Sequence, residues 1–208
     1  MTNQTVLYQG AEAKIIRSKY HDHDVVKKQR VHKRYRIKEI DELLIQSRTK
    51  EESKVMALAR MNGVSVPLIY DVDLLTGCIT FEFVDGSRVK DIFDNLSDEK
   101  RKKICYHIGF QIGLLHNAEI IHGDLTTSNM IFKDNTVYFI DFGLSEINHE
   151  VEARGVDLHL LMEALESTHS QHASFFTYVF DGYRETYTGD TDEVKRKIDD
   201  IIQRGRYR

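Results

Sequence analysis

The sequence predicts an α+β protein in which a strand-rich N-terminal part is followed by a mainly helical C-terminal part. Short β-prone runs and one helical stretch fill the first 84 residues, whereas apolar residues recur at helical spacing further on. A chain of 208 residues, 41% hydrophobic and 30% charged, has room for one medium domain or two small lobes. We therefore expect an N-terminal lobe at 1–84, a C-terminal lobe at 85–208, and the hinge of a cleft near Glu82–Gly86.

Local patterns assign the elements. Runs rich in Val, Ile, Leu and Tyr predict strands at 6–8, 13–16, 24–28, 68–72 and 79–84, with a helix at 39–61. Ser97 is a candidate N-cap for a helix whose glycines, Gly109 and Gly113, share one face and permit close backbone approach. Further helices are expected at 156–166, in the aromatic run 175–183, which we interpret as core, and at 194–202.

A β-hairpin is predicted between residues 130 and 140. Residues 130–132 and 137–140 are apolar and β-prone, and the polar pair Asp134-Asn135 supplies the turn. Asn129 then precedes the first strand and Asp141 follows the second, so the hairpin brings the two together.

The residues around this hairpin have the pattern of a phosphoryl-transfer site. Asp124 and Asn129 stand five positions apart in Ile-His-Gly-Asp-Leu-Thr-Thr-Ser-Asn, and Asp141 opens Asp-Phe-Gly. In such sites one carboxylate orients the attacking oxygen and accepts its proton, while an amide and a second carboxylate hold Mg²⁺ against the phosphates. The alternative is that the His-Gly-Asp and Asp-Phe-Gly segments are turns that arose separately and share no function. His122 is expected to brace the hairpin backbone, and Asp157 either to cap its helix or to tie down the catalytic loop.

A nucleotide triphosphate also needs a cation, and two lysines compete for that role. Lys27 and Lys28 alternate across a strand, so only one can face the site. The helix offers Glu51 or Glu52 as the partner that holds the lysine. The segment from Thr49 to Glu52 also fits a capping box, so the pattern does not decide whether Glu52 caps a helix or pairs with a lysine.

Two further segments are candidates for nucleotide contacts. Gly10 lies between two predicted strands, where a phosphate-covering loop would be, although the segment has one glycine rather than three. Glu82 to Val84 would present backbone groups to an adenine edge.

The net charge of −4 conceals a basic block at 27–38, which holds seven Lys/Arg and no acid. The rest of the chain has 22 basic and 33 acidic residues, and the chain ends in a basic tail at 204–208. This distribution fits polyanion binding, or else a solvated loop.

Cysteine usage and the absence of membrane signals predict a cytoplasmic protein. Cys78 and Cys105 fall in apolar segments, which favours buried thiols over a disulfide. No apolar run approaches membrane-spanning length, and the N-terminus has no signal pattern.

Taken together, these residues resemble the protein-kinase superfamily over nearly the whole chain, and in detail the small atypical kinases of the KEOPS complex, which installs threonylcarbamoyl-adenosine in tRNA. The matching segments are 10–13, 28–36, 48–54, 122–129, 141–145, 155–158 and 204–208. The resemblance implies a two-lobed protein-kinase-like fold with a reduced helical C-terminal lobe. It assigns the nucleotide lysine to Lys28 and its partner to Glu52.

The chain departs from conventional kinases at Gly123, where they carry arginine, and at Thr126, where serine/threonine kinases carry lysine. No Ala-Pro-Glu segment follows Asp-Phe-Gly, and 145–155 is too short for a regulated activation loop. KEOPS kinases share these departures, which put a peptide groove and switching by loop phosphorylation in doubt.

The resemblance implies binding of ATP and Mg²⁺, autophosphorylation or ATP hydrolysis, and docking on the threonylcarbamoyl-transferase subunit of the complex. It also implies tRNA contacts through 27–38 and 204–208. The rival hypotheses are a nucleotide-binding scaffold that regulates the partner transferase, and a small-molecule phosphotransferase, for whose larger helical region this chain has little room.

Overall fold

The computed structural model describes residues 5–206, which form two compact units. The first unit comprises residues up to Ala57 together with Pro67–Val84, and the second comprises Leu58–Val66 together with the chain from Asp85 onward. The antiparallel strand-rich N-terminal sheet and the helical C-terminal part confirm the α+β fold class.

The first unit is built on a five-stranded antiparallel sheet in the order β1-β2-β3-β5-β4. Its strands are β1 (Thr5–Gln9), β2 (Ala13–Tyr20), β3 (His23–Arg30), β4 (Ile69–Asp73) and β5 (Cys78–Glu82). Helix α1 (Lys38–Met61) follows β3, and its last residues belong to the second unit. The buried apolar side chains of the first unit come from β3, β5 and α1, among them Val25, Ile79 and Met56.

The second unit is mainly helical. Its helices are α2 (Val89–Ile92), α3 (Asp98–Asn117), α4 (Val151–Thr168), α5 (Phe176–Thr186) and α6 (Thr191–Arg206). Its short strands are β6 (Ser87–Arg88), β7 (Ile120–Ile121), β8 (Met130–Lys133), β9 (Thr136–Phe139) and β10 (Glu146–Ile147), paired as β6-β8-β9 and β10-β7. Ser97 occupies the N-cap position of α3, but its side chain makes no capping hydrogen bond.

Helices α3 and α5 approach so closely that backbone packs on backbone. A Cβ atom at Gly109 would lie 1.7 Å from the carbonyl oxygen of Val179, and one at Gly182 would lie 1.9 Å from that of Tyr106. The close approach expected at Gly109 is therefore confirmed. The aromatic run contributes Phe180 and Tyr183 to the buried core of this unit, as expected.

Within residues 5–206, no helix is both long and apolar enough to cross a bilayer.

Candidate active site

The loop 122–129, which holds Asp124, and the hairpin are joined by local backbone geometry. Asn129 ends a 3₁₀ turn directly before β8. Asp134 and Asn135 both have positive φ, 48° and 59°, the conformation that a two-residue type I′ hairpin turn requires. Beyond the paired strands, the N–H of Ile140 donates to the carbonyl of Asn129 at 3.0 Å. This bond sets Asn129 beside the residue that precedes Asp141.

The side chains of Asp124 and Asn129 contact each other directly. Nδ2 of Asn129 donates to Oδ2 of Asp124 at 2.8 Å and to its backbone carbonyl at 3.0 Å. Because both partners are acceptors, they identify the amide nitrogen, and Oδ1 is directed elsewhere. That oxygen is the kind of ligand that Mg²⁺ takes.

Asp141 stands at an unusual backbone position. Its φ is 63°, in the left-handed region that aspartate and asparagine tolerate better than most residues. Its side chain is exposed enough to reach a ligand, and Oδ1 accepts the N–H of Gly143 at 3.3 Å. No group of three His, Cys, Asp or Glu side chains in the described range could hold a metal ion. A Mg²⁺ ion held by Asn129 and Asp141 would therefore take its other ligands from phosphate and water oxygens, which is its usual coordination with nucleotides.

A buried carboxylate holds the loop 122–129. Asp157, fully buried in α4, accepts the backbone N–H of His122 at 2.8 Å and that of Gly123 at 2.9 Å. Nε2 of His116 lies 3.3 Å from the same carboxylate, and Nδ1 of His116 lies 3.0 Å from the Tyr183 hydroxyl. Of the two roles open for Asp157, tying down the loop is confirmed and helix capping is wrong, because α4 begins at Val151.

Gly123 has a structural reason for lacking a side chain. Its φ is 79°, and a Cβ atom there would lie 2.4 Å from the carbonyl oxygen of Leu144. An arginine at this position would be strained whatever its charge.

His122 is neutral and structural in this environment. Nδ1 accepts the N–H of Asp124 at 3.3 Å, so the ring braces the loop, and the ring packs against Phe142 with centroids 4.6 Å apart. Nε2 makes no hydrogen bond of normal geometry within residues 5–206. The backbone of Ile140 is close enough to interact with the ring, but not in that geometry. Burial lowers the pKa of His122, and the nearby aspartates, led by Asp157, act in the opposite direction.

Two polar anchors of this region are not among the residues predicted from the sequence. His169 is buried between Thr127, whose hydroxyl lies 3.0 Å from Nε2, and Asp94, whose carboxylate lies 2.7 Å from Nδ1. Gln111 accepts the N–H of Ser65 and donates to the carbonyl of Val137 in β9. Both contacts join residues far apart in the chain, and only burial of a polar side chain among apolar neighbours could have indicated Gln111.

In the first unit, Lys28 forms the ion pair that the resemblance implies. Its Nζ lies 2.6 Å from Oε1 of Glu52, and both side chains are buried. Lys27 is half-buried, and Glu51 is exposed beside Lys54. The capping-box reading is wrong, because Thr49 lies inside α1 and its hydroxyl donates to the carbonyl of Ile45.

The remaining candidates lie in the first unit. Gly10 is in the β1–β2 turn, where its N–H donates to the carbonyl of Ala13 at 3.0 Å. The N–H of Glu82 donates to Leu68 and that of Phe83 donates to Asp24. Any backbone donor to a base edge would therefore have to come from Val84.

Much of the basic block is engaged within the first unit. Arg30 pairs with Glu52, Arg36 pairs with Asp41, and Lys33 donates to the carbonyl of Ala11. These three cations line an open pocket. Arg34 is exposed.

The basic tail is described only in part. Arg204 pairs with Glu152 at 2.9 Å. The rest of the predicted tRNA-contacting tail, the side chain of residue 206 and residues 207–208, lies outside the described part.

Both cysteines are free thiols, Cys105 buried and Cys78 half-buried. Burial raises the pKa of the Cys105 thiol to about 12, and burial likewise raises that of Cys78. Both thiols are therefore unreactive at neutral pH.

Comparison with known proteins identifies relatives over nearly the whole chain. The RIO domain family model matches residues 9–156. A protein of Pyrococcus abyssi named KEOPS complex subunit Bud32 is 46% identical over 211 residues, covering 98% of this chain and 96% of that protein.

Other relatives are longer. Proteins of Methanobrevibacter smithii and Methanothermobacter thermautotrophicus, both named probable bifunctional tRNA threonylcarbamoyladenosine biosynthesis protein, are 39% and 41% identical over 97% of this chain. The chain spans 36% of the length of each.

Proposed function

Because the chain belongs to the RIO-domain family of kinase-like proteins, we propose that it binds Mg·ATP and transfers or hydrolyses the terminal phosphoryl group. The observation that carries this proposal is the hydrogen-bonded pair of Asp124 and Asn129, tied by the hairpin to Asp141. Few other arrangements need a carboxylate and an amide oxygen at the two ends of one hairpin.

In this proposal each residue has a distinct task. Asp124 orients the attacking hydroxyl or water and accepts its proton, and the hydrogen bond from Asn129 holds its carboxylate in place. Asn129 and Asp141 would hold Mg²⁺, which neutralises charge on the phosphates when bound. Lys28, held by Glu52, binds the phosphates.

Weaker assignments complete the nucleotide site. The Gly10 turn covers the phosphates, and the segment from Glu82 to Val84 contacts the adenine edge. For Val84 the support is that the N–H groups of Glu82 and Phe83 are already engaged.

We propose that the physiological setting is a KEOPS complex acting in tRNA threonylcarbamoyl-adenosine modification, with the threonylcarbamoyl-transferase as direct partner. The support is the similarity to the Pyrococcus abyssi subunit over the full chain. The reaction is either phosphorylation of serine or threonine side chains or ATP hydrolysis. The unreactive free thiols fit a reducing compartment, the cytoplasm.

A scaffold role is a second candidate, favoured by one observation. The chain corresponds to about a third of relatives named as bifunctional, so a region similar to this chain is joined covalently to a further region there. Comparing complex activity with hydrolysable and non-hydrolysable ATP separates the candidates: equal activity with both supports the scaffold.

Contact with tRNA is part of the proposal, and Arg34 is its best candidate within 27–38 because it is exposed. Each phosphate contact contributes to the slope of log affinity against log salt concentration. We expect Arg34→Gln to make that slope shallower by about one.

The decisive experiment uses three matched substitutions of aspartate by asparagine. Asp141→Asn keeps a side chain that tolerates positive φ, so it removes the charge with little backbone strain. Asp134→Asn is the control, because Asp134 lies in the same hairpin at φ 48° and is exposed. Asp124→Asn tests whether the Asp124 carboxylate accepts the proton of the attacking oxygen.

We expect Asp141→Asn and Asp124→Asn to lower Mg·ATP turnover on the order of a hundredfold or more, since each removes several kcal/mol of barrier lowering. Asp124→Asn should retain ATP binding, and Asp134→Asn should match the wild type. Phosphate release and calorimetric titration measure these effects. Full turnover in Asp141→Asn would contradict the metal assignment.

A further inference from the structure

The loop 122–129 is attached to helix α4 at a second point besides Asp157. His169 directly follows α4, and its Nε2 lies 3.0 Å from the hydroxyl oxygen of Thr127. The backbone N–H of His169 donates to the carbonyl of Leu165 at 2.8 Å, so the last turn of the helix holds the residue in place. Asp157 lies twelve positions earlier, roughly 18 Å away along a helix. One helix therefore holds the loop at two well-separated points.

A carboxylate fixes the ring of His169 from the other side. Oδ1 of Asp94 lies 2.7 Å from Nδ1 of His169. The backbone of Asp94 is fixed in turn, because the buried Arg101 donates to its carbonyl and to that of Phe93, both at 3.0 Å. The ring of Phe93 packs against His169, with centroids 4.8 Å apart. The imidazole is therefore held on several sides.

The carboxylate determines which ring nitrogen carries the proton. An ionised carboxylate only accepts hydrogen bonds, so Nδ1 of a neutral His169 carries the proton and Nε2 has the free lone pair. Nε2 then accepts a hydrogen bond from the hydroxyl of Thr127. The order carboxylate, imidazole, hydroxyl is the one that activates the nucleophile of serine hydrolases. Thr127 is only 1% exposed, so a substrate cannot reach its oxygen, and here the hydrogen bonds hold the residue in place instead.

Thr127 begins the turn that presents Asn129. The 3₁₀ turn Thr127–Asn129 leads directly into β8, and the N–H of Asn129 donates to the carbonyl of Thr126 at 3.0 Å. A turn of three residues has few backbone hydrogen bonds of its own. An anchor on the side chain of Thr127 therefore limits how far Asn129 can move.

We propose that His169, held by Asp94, is a positioning residue for Asn129 as a ligand of Mg²⁺. It acts through the hydroxyl of Thr127. This inference rests on the proposed function, because it takes Asn129 to be a ligand of Mg²⁺.

The first experiment determines the position of the proton on the ring of His169. Nitrogen-15 NMR of the full-length, metal-free protein distinguishes protonated from unprotonated ring nitrogens. In mildly alkaline buffer we expect a proton on Nδ1 and none on Nε2. Asp94→Ala should lose this single tautomer, whereas Asp91→Ala, which removes an exposed carboxylate three residues earlier, should keep it. A wild-type ring protonated at Nε2, or an unchanged tautomer in Asp94→Ala, would overturn the inference.

The second experiment measures ATP affinity by calorimetric titration at a series of Mg²⁺ concentrations. Thr127→Val keeps the shape of the side chain and removes the hydroxyl, whereas Thr127→Ser keeps the hydroxyl. Thr168→Val, which removes an exposed hydroxyl at the end of α4, is the control. We expect Thr127→Val to bind ATP like the wild type without Mg²⁺ but to need on the order of tenfold more Mg²⁺ for half-saturation, since loss of a group that supports a metal ligand has effects of this size. Thr127→Ser and Thr168→Val should match the wild type.

A contact that serves stability alone would give a different result. Thr127→Val would then unfold at lower urea concentration while its Mg²⁺ requirement stayed that of the wild type, and this result would overturn the inference. Equal increases of the Mg²⁺ requirement in Thr127→Ser and Thr127→Val would overturn it too. The side chain of Asp94 is 53% exposed, so Asp94→Ala carries the Mg²⁺ titration if Thr127→Val does not fold. It should also need more Mg²⁺ than the wild type, and an unchanged requirement would contradict the inference.

Failure of the proposed function gives a distinct result. If ATP binding by the wild type does not respond to Mg²⁺, the metal site is wrong, and this inference with it. If the wild type responds to Mg²⁺, Asp141→Asn abolishes the response and Thr127→Val leaves it unchanged, the inference alone is wrong.

Discussion

Lys28 in the first unit and Asp124 in the second are held by different kinds of partner. Lys28 is fixed by side chains, through the carboxylate that it shares with Arg30. The loop of Asp124 is fixed by its own backbone, through two N–H groups that donate to the buried Asp157. Charges can be rebalanced by other charges, whereas a backbone donor aimed at one buried acceptor has no substitute. We therefore expect that loss of a charge around Lys28 can be compensated by a second substitution that rebalances the charges. Loss of the Asp157 carboxylate should have no such compensation.

The largest expected effect is at Asp157. Asp157→Asn places an amide donor against a backbone donor in a fully buried site, so the free energy of unfolding should fall by about 3 kcal/mol. Urea denaturation measures it. Glu163→Gln, an exposed carboxylate change on the same helix, should stay within about 0.5 kcal/mol of the wild type. A loss below about 1 kcal/mol in Asp157→Asn would show that this carboxylate does not hold the loop.

A smaller and repairable effect is expected in the first unit. Glu52→Gln leaves two cations side by side on β3 and should lower the free energy of unfolding by about 2 kcal/mol. Adding Arg30→Gln removes one of the two cations and should recover about half of that loss. The same urea series measures both variants. If the double variant is no more stable than Glu52→Gln, the two regions do not differ in the way described.

The smallest effect is expected at the surface, where Glu152 on α4 pairs with Arg204 and Lys197 of α6. The hydrogen bond from Arg204 lowers the pKa of Glu152 from its ordinary value of 4.5. A carboxyl whose pKa is lowered in the folded state stabilises above its ordinary pKa, and this contribution is lost as the pH falls through the folded value.

We therefore expect amide exchange in α6, corrected for its intrinsic pH dependence, to accelerate modestly below pH 4.5. The acceleration should be absent in Glu152→Gln. If the wild type and Glu152→Gln show the same pH dependence, other carboxyl groups cause the acceleration.

The sequence predicted best where the determinants are local. The hairpin and its turn depend on residues 130–140 alone, and Asp134 and Asn135 adopt the positive φ values that such a turn needs. The strand and helix positions of the first unit follow from short-range patterns and agree with the structure to within a few residues, apart from longer β2 and β3.

The sequence was least informative where a local pattern has two physical meanings. Thr49 to Glu52 fits a capping box, but the pattern cannot reveal that α1 begins eleven residues earlier. Asp157 near a helix start reads as a cap, and only the folded loop supplies its backbone donors. The contact of His169 with Thr127 joins residues 42 positions apart, so no periodicity encodes it. Long-range polar contacts of this kind depend on the tertiary fold.

The anchoring of the loop 122–129 by Asp157 also sets how the loop exchanges hydrogen with solvent. Loop amides usually exchange through small local fluctuations. The amides of His122 and Gly123 are bonded to a carboxylate with no exposed surface, so solvent reaches them only when α4 separates from the loop. The amides of these two residues should therefore exchange as slowly as the amides of the hydrophobic core. Their protection against exchange then reports the global unfolding of the second unit.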